Sequence, residues 1–214
     1  IWHSSKFFGE NVVPSAYLAV DLFFLMSGVV LSFAYDSRIG NNLEFWKFFL
    51  LRIVRLFPLY LLGTMIAVLS VSAALIAHIP VLWTWPELLR SVVAAIFMIP
   101  IYPPKGIGSI FPLNGPAWSL FYEIIINFIY AFTLPWIGIK TLIGVVVTSI
   151  LLMGVAVFYY GSLKIGDSIG GGVYTGGILR VTFSFFCGVL LCRLYRKNVI
   201  PRMSVKSPWL ILIL

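Results

Sequence analysis

The stretch GPAWSLFYEIIINFIYAF, residues 115–132, places one carboxylate, Glu123, inside a run of aliphatic and aromatic side chains. A lone acid is unusual in a soluble core and costlier still in a helix that crosses lipid. Which of the two surrounds it is answered by the rest of the chain. Of its 214 residues 61% are hydrophobic and only 10% charged, and the mean hydropathy is +1.04. A soluble domain carries about 25% charged residues. Leu56 to Ala77 and Thr141 to Leu163 contain no charge at all, and each meets the roughly 20 residues a bilayer crossing needs. The composition is that of an all-α, polytopic transmembrane helical bundle.

Five long runs read as spans, about 12–35, 56–77, 117–136, 141–161 and 173–195. A shorter one, Ser91 to Ile101, ends in IPIYPP and reads as a short, re-entrant or interfacial segment, giving five or six spans in all. Residues 43–55, LEFWKFFLLRIVR, interleave apolar side chains with Lys47, Arg52 and Arg55, as an amphipathic segment on a membrane face does. Pro58 is expected to break it from the span that follows. The glycines of GDSIGGGVYTGG, residues 166–177, lack the lysine and hydroxyl of a phosphate loop and read as a turn. No internal repeat is visible.

The net charge of +8 does not describe a nucleic-acid face. Nine of the fifteen cations fall in two clusters beside apolar runs: Arg38, Lys47, Arg52 and Arg55, then Arg193, Arg196, Lys197, Arg202 and Lys206. That is the pattern of cytoplasmic loops. With both clusters on one side, an even number of crossings separates them, which favours a segment 91–101 that does not cross by itself. Cys187 and Cys192 are five positions apart and do not share a helix face, so neither a disulfide framework nor a metal site follows. The chain starts without Met and stops within SPWLILIL. It is read as a fragment, one integral-membrane domain over 1–214 truncated at both ends.

Four polar features need explaining. Glu123 lies about 10 Å along a helix beginning near Pro116, inside the apolar layer. Ser119, Glu123 and Asn127 follow at i, i+4 and i+8 and form one stripe. A structural account pairs Glu123 with Arg180, a cation well inside the run 173–195; a functional one makes it a proton-handling or orienting group in a cavity, with Trp118, Ser119 and Tyr122 beside it. Arg52 and Arg55, at i and i+3, could grip a phosphate-rich group or could simply anchor the helix at anionic headgroups. Asp21, with the small Ser27 and Gly28 following, reads as a support near a helix start. His3 could be a general base or a plain interfacial anchor.

Four segments then resemble a known family. AVDLFFLMSGVVLSF, FFLLRIVRLFPLYLLG, AWSLFYEIIINFIY and LRVTFSFFCGVLLCRL are similar, in order and spacing, to signatures of the membrane acyltransferase family 3. The resemblance implies an integral-membrane O-acyltransferase that moves an acyl group, commonly acetyl from acetyl-CoA, onto a carbohydrate hydroxyl such as that of a cell-surface polysaccharide. It implies acyl-CoA as donor substrate, no bound cofactor or metal, and a multi-pass place in the bacterial cytoplasmic (inner) membrane. Its partners are then acyl-CoA, a hydroxyl acceptor and the bilayer, without nucleic acid. His3 occupies the place of the family's essential histidine, whose partner arginine would precede Ile1. His3 and Glu123 are the implied catalytic pair, Arg52 and Arg55 the implied acyl-CoA ligands, and Asp21, Ser27, Trp118, Ser119, Tyr122 and Arg180 line or support the cavity. A transporter or channel is the rival class, since intramembrane polar groups and interrupted helices also build transport pathways.

Overall fold

A computed structural model of the chain describes residues 18–36, 45–161 and 173–199. These form six helices: α1 (Leu18–Tyr35), α2 (Phe45–Ile76), α3 (Trp85–Ile96), α4 (Ala117–Thr133), α5 (Ile139–Tyr160) and α6 (Val173–Arg196). No β-strand occurs among the described residues. Helices α1, α2, α5 and α6 are long and apolar enough to cross a membrane, whereas α4, with 17 residues, reaches about 26 Å. Side chains such as Leu59, Leu69, Leu151 and Phe158 are exposed on these helices. Such a surface is tolerable in lipid and not in water. The chain is a helical membrane bundle.

Helix directions follow from pairs of contacts. Ser27 meets Glu123 and Asp36 meets Tyr130, so α1 and α4 run parallel. Asp21 meets Arg180 and Asp36 meets Arg193, so α6 runs with them. Phe49 packs edge-on to Phe128, while Phe57 and Tyr60 join Phe121 in one cluster, so α2 runs the opposite way. The C-terminal ends of α1, α4 and α6 and the start of α2 therefore share one end of the bundle. Lys47, Arg52 and Arg55 of the first basic cluster and Arg193 and Arg196 of the second lie toward that end, as the charge pattern requires.

Two expectations change. The amphipathic segment and the span after it are one helix of 32 residues that continues through Pro58. A proline inside a helix costs the bond to the carbonyl four residues earlier, here Val54, and lipid-embedded helices tolerate it where neighbours hold the chain. The short segment begins earlier than its hydropathy suggested. Glu87 accepts from the backbone N–H and hydroxyl of Thr84 at 3.0 and 2.8 Å, and Pro86 sits in the first turn, so capping rather than apolarity fixes the start of α3. Its 12 residues span about 18 Å, short of the roughly 30 Å of hydrocarbon. Helix α4 begins at Ala117 with Pro116 before it, and ends at Thr133.

Helix α3 does not cross, but it is part of a crossing. Leu88 and Ala95 pack with Ala67, Val68, Val71 and Leu75 in the second half of α2. The Tyr60 hydroxyl donates to the Ala95 carbonyl at 2.7 Å, and Ala117 shares a cluster with Tyr60. Helices α3 and α4 thus lie end to end along α2, joined by residues 97–116. The joint is held by Asn114, whose amide donates to the Tyr60 carbonyl at 3.3 Å and to the Thr64 hydroxyl at 3.4 Å.

The tightest crossing is α1 on α6. A Cβ added to Gly28 would stand 2.1 Å from the Phe185 carbonyl oxygen, and one added to Gly188 would stand 2.1 Å from that of Leu25. Backbone meets backbone there, as small residues at membrane helix interfaces permit.

Candidate active site

Glu123 lies on the face of α4 turned to α1 and is 2% exposed. Ser27 of α1 donates its hydroxyl to Glu123 Oε1, and the Asn127 amide, one turn on along α4, donates to the same oxygen at 3.3 Å. Two donors converge on one carboxyl oxygen. The other, Oε2, and the Asn127 carbonyl Oδ1 are both buried with no hydrogen-bond partner among the described residues. The sequence stripe is therefore real between Glu123 and Asn127, but Ser119 leaves it and donates to the Pro116 carbonyl at 2.9 Å.

The cations divide. Arg52 is buried, its guanidinium carbon 5.6 Å from the ring centre of Tyr35 and 5.8 Å from that of Phe48. Arg55, one turn on, is exposed. Both lie level with Glu123 across the α2–α4 contact. Antiparallel α2 and α4 produce this, because Phe49 opposes Phe128 and places Arg52 and Arg55 level with Glu123. Their i, i+3 spacing puts the pair on neighbouring positions of α2 without giving them one environment.

Arg180 does not pair with Glu123. Its Nε and NH2 donate to the two oxygens of Asp21 at 3.1 and 2.9 Å, and its guanidinium carbon lies 5.9 Å from the Trp118 ring centre. The correction has a geometric cause. Parallel α1 and α6 bring Asp21 level with Arg180, while Glu123 sits opposite Ser27, six residues or about 9 Å further along α1. Tyr122 closes the space between these groups. It is buried, packs edge-on to Trp118, and its ring would be 2.7 Å from a Cβ at Gly177. His3 lies outside the described residues.

One cluster escaped the sequence reading. Asp36, at the end of α1, accepts from Ser32 at 2.8 Å, Tyr130 at 2.5 Å and Arg193 at 2.9 Å. Arg193 also donates to the Ile137 carbonyl. The signal lies in the i, i+4 spacing of Ser32 and Asp36, but Arg193 falls with Arg196 and Lys197 in the pattern of a loop cation.

Two comparisons bear on what these groups do. A family model described as an acyltransferase domain matches residues 1–214. Protein 2 in picA locus of Rhizobium radiobacter is 34% identical over 137 residues, 60% of this chain and 71% of that protein. Exopolysaccharide production protein ExoZ of Rhizobium meliloti (strain 1021) is 27% identical over 131 residues, 61% of this chain but only 38% of ExoZ. No solved structure matches. With the match covering the whole chain, the enzyme class prevails over the transporter class. The chain belongs to the membrane acyltransferase family 3 and is an integral-membrane O-acyltransferase.

Proposed function

We propose that the protein transfers an acetyl group from acetyl-CoA to a hydroxyl of an exported polysaccharide, a reading supported by the similarity to ExoZ, an exopolysaccharide production protein. The observation that carries it is Glu123, a carboxyl buried halfway along a helix, with a buried cation level with it on α2 and one oxygen left without a donor among the described residues. An arrangement so costly in lipid is expected at a reacting centre rather than in packing.

The basic end of the bundle faces the cytoplasm, where acyl-CoA resides. Arg55, exposed, meets the phosphates of CoA. Arg52, one turn nearer the start of α2 and buried over Tyr35 and Phe48, steadies negative charge along the path. His3 takes the proton of the acceptor hydroxyl, the hydroxyl oxygen bonds to the thioester carbonyl carbon, and the tetrahedral adduct collapses as the C–S bond breaks. The protonated imidazole returns the proton to the leaving CoA thiolate. Glu123 orients the acceptor or the imidazole, and Arg180, held by Asp21, supports the cavity through Trp118.

Membranes holding the full-length protein test this with radiolabelled acetyl-CoA and the strain's own exopolysaccharide, deacylated by mild alkali. Label enters the glycan in the wild type. His3→Ala lowers transfer by about 10²–10⁴-fold, the usual worth of a general base, and leaves insertion intact. Transfer that survives His3→Ala removes the histidine from that role.

A further inference from the structure

Neither the stripe of polar residues nor the family match gives Asn127 a task, yet it is the most deeply buried polar side chain of the site, with 0% exposure. Its amide nitrogen is spent on Glu123 Oε1. Its carbonyl oxygen is not spent, and neither is Glu123 Oε2. Buried oxygens of this kind normally find a donor, because leaving one without costs about 1–3 kcal/mol. Here two occur on adjacent side chains one turn apart, joined by a hydrogen bond, and Ser27 fixes the carboxyl from the other side. The Ser27 and Asn127 donors hold Oε1, so the carboxyl cannot turn to satisfy Oε2 without losing what Oε1 has.

We infer that Glu123 Oε2 and Asn127 Oδ1 form a two-point acceptor for the hydroxyl groups of the carbohydrate that is acylated. The inference rests on the acyl-transfer reading and deepens it, assigning Asn127 as a residue that contacts the acceptor. The chemistry follows from the donor inventory. Oε2 of the carboxylate and the amide Oδ1 only accept, so the ligand must present O–H or N–H groups. A carbohydrate carries adjacent hydroxyls that can meet both, beside the nucleophilic hydroxyl that gives its proton to His3. The other N–H source near the site is the pair of amides in the pantetheine arm of acyl-CoA, and kinetics separate the two. A site built from buried acceptors discriminates strongly against ligands lacking the donor, because the oxygens are then stranded.

The experiment uses the full-length protein in membranes, labelled acetyl-CoA and the deacylated exopolysaccharide. Asn127→Leu, similar in volume and without polar atoms, is expected to raise the acceptor KM by about fivefold to tenfold, the worth of one neutral hydrogen bond, with the acetyl-CoA KM unchanged. Asn127→Asp, whose acid form keeps a donor towards Glu123 and a free oxygen, is expected to restore the acceptor KM towards the wild-type value at the acid end of the activity range. A residue that only held the bundle together would lower the amount of folded enzyme and leave both KM values alone. A rise confined to the acetyl-CoA KM would overturn the carbohydrate assignment in favour of the pantetheine amides. A wild type that transfers label beside an Asn127→Leu of unchanged KM for both substrates would overturn this inference alone. A wild type that transfers no label would overturn the acyl-transfer reading and the inference with it.

Discussion

Glu123 is held by one oxygen, and that distinction sets what its replacements should do. Glu123→Gln keeps the size and an acceptor towards Ser27 but offers N–H where Oε2 was. Transfer is expected to fall by about 100-fold or more, the scale of a misplaced reacting group, while the protein inserts normally; label transfer in membranes with matched protein content is the check. Tyr130 poses the contrasting case. Its hydroxyl donates to Asp36 at 2.5 Å, far along α4 from Glu123. Tyr130→Phe removes a bond to a charged acceptor worth about 1.5–3 kcal/mol. It should lower the midpoint of thermal unfolding in detergent while the acceptor KM stays as it was. The two variants lie seven residues apart on one helix, and a protein in which both changed only stability would refute the division between them.

Among the elements, α1 and α6 carry the sharpest constraint. Gly28→Ala must push a methyl against the Phe185 carbonyl at 2.1 Å, and neither helix backbone can yield without parting the other contacts of the crossing. A loss of about 1–3 kcal/mol is expected. Gly144 in α5 is the control, since nothing lies within 4 Å of its added Cβ. Gly144→Ala should gain up to about 1 kcal/mol, the helix preference for alanine over glycine. Thermal unfolding of both variants in the same detergent tests the sign. The same two helices are joined by the ion pair of Asp21 and Arg180, whose side chains are 23% and 5% exposed. Breaking a buried pair from one side strands a charge at a cost of about 3–5 kcal/mol, whereas removing both leaves none. Arg180→Met alone should therefore depress folded yield more than Arg180→Met with Asp21→Leu.

At the scale of the molecule, the membrane class and most helix positions were legible because uncharged runs of bilayer length have few alternatives. The even number of passages between the basic clusters was legible too, and α2, the joined α3 and α4, α5 and α6 supply it. What stayed hidden needed the third dimension. Nothing in the spacing of Arg180 tells whether it meets Asp21 or Glu123; only the parallel run of α1 and α6 does. Pro58 reads as a break in any sequence window, yet the helix passes through it because α3 and α4 brace α2 on either side of Tyr60. Residues 37–44, with Arg38, and His3 lie outside the described residues. The orientation is open to labelling. In a background with both cysteines replaced by serine, Lys105→Cys should react with an impermeant maleimide added outside the cell. Lys47→Cys should react only after the membrane is opened, and the reverse pattern would invert the bundle.

The division of one passage between α3 and α4 has a consequence for how the chain is made. A segment of 12 residues bearing Glu87 and Arg90 is too short and too polar to leave the translocon for lipid unaided. It can settle only against an α2 that is already in place, offering the carbonyl and hydroxyl groups that Asn114 requires. Biogenesis would then proceed by hairpin, with α2 released first and retained beside the lateral gate until Thr133 has emerged from the ribosome.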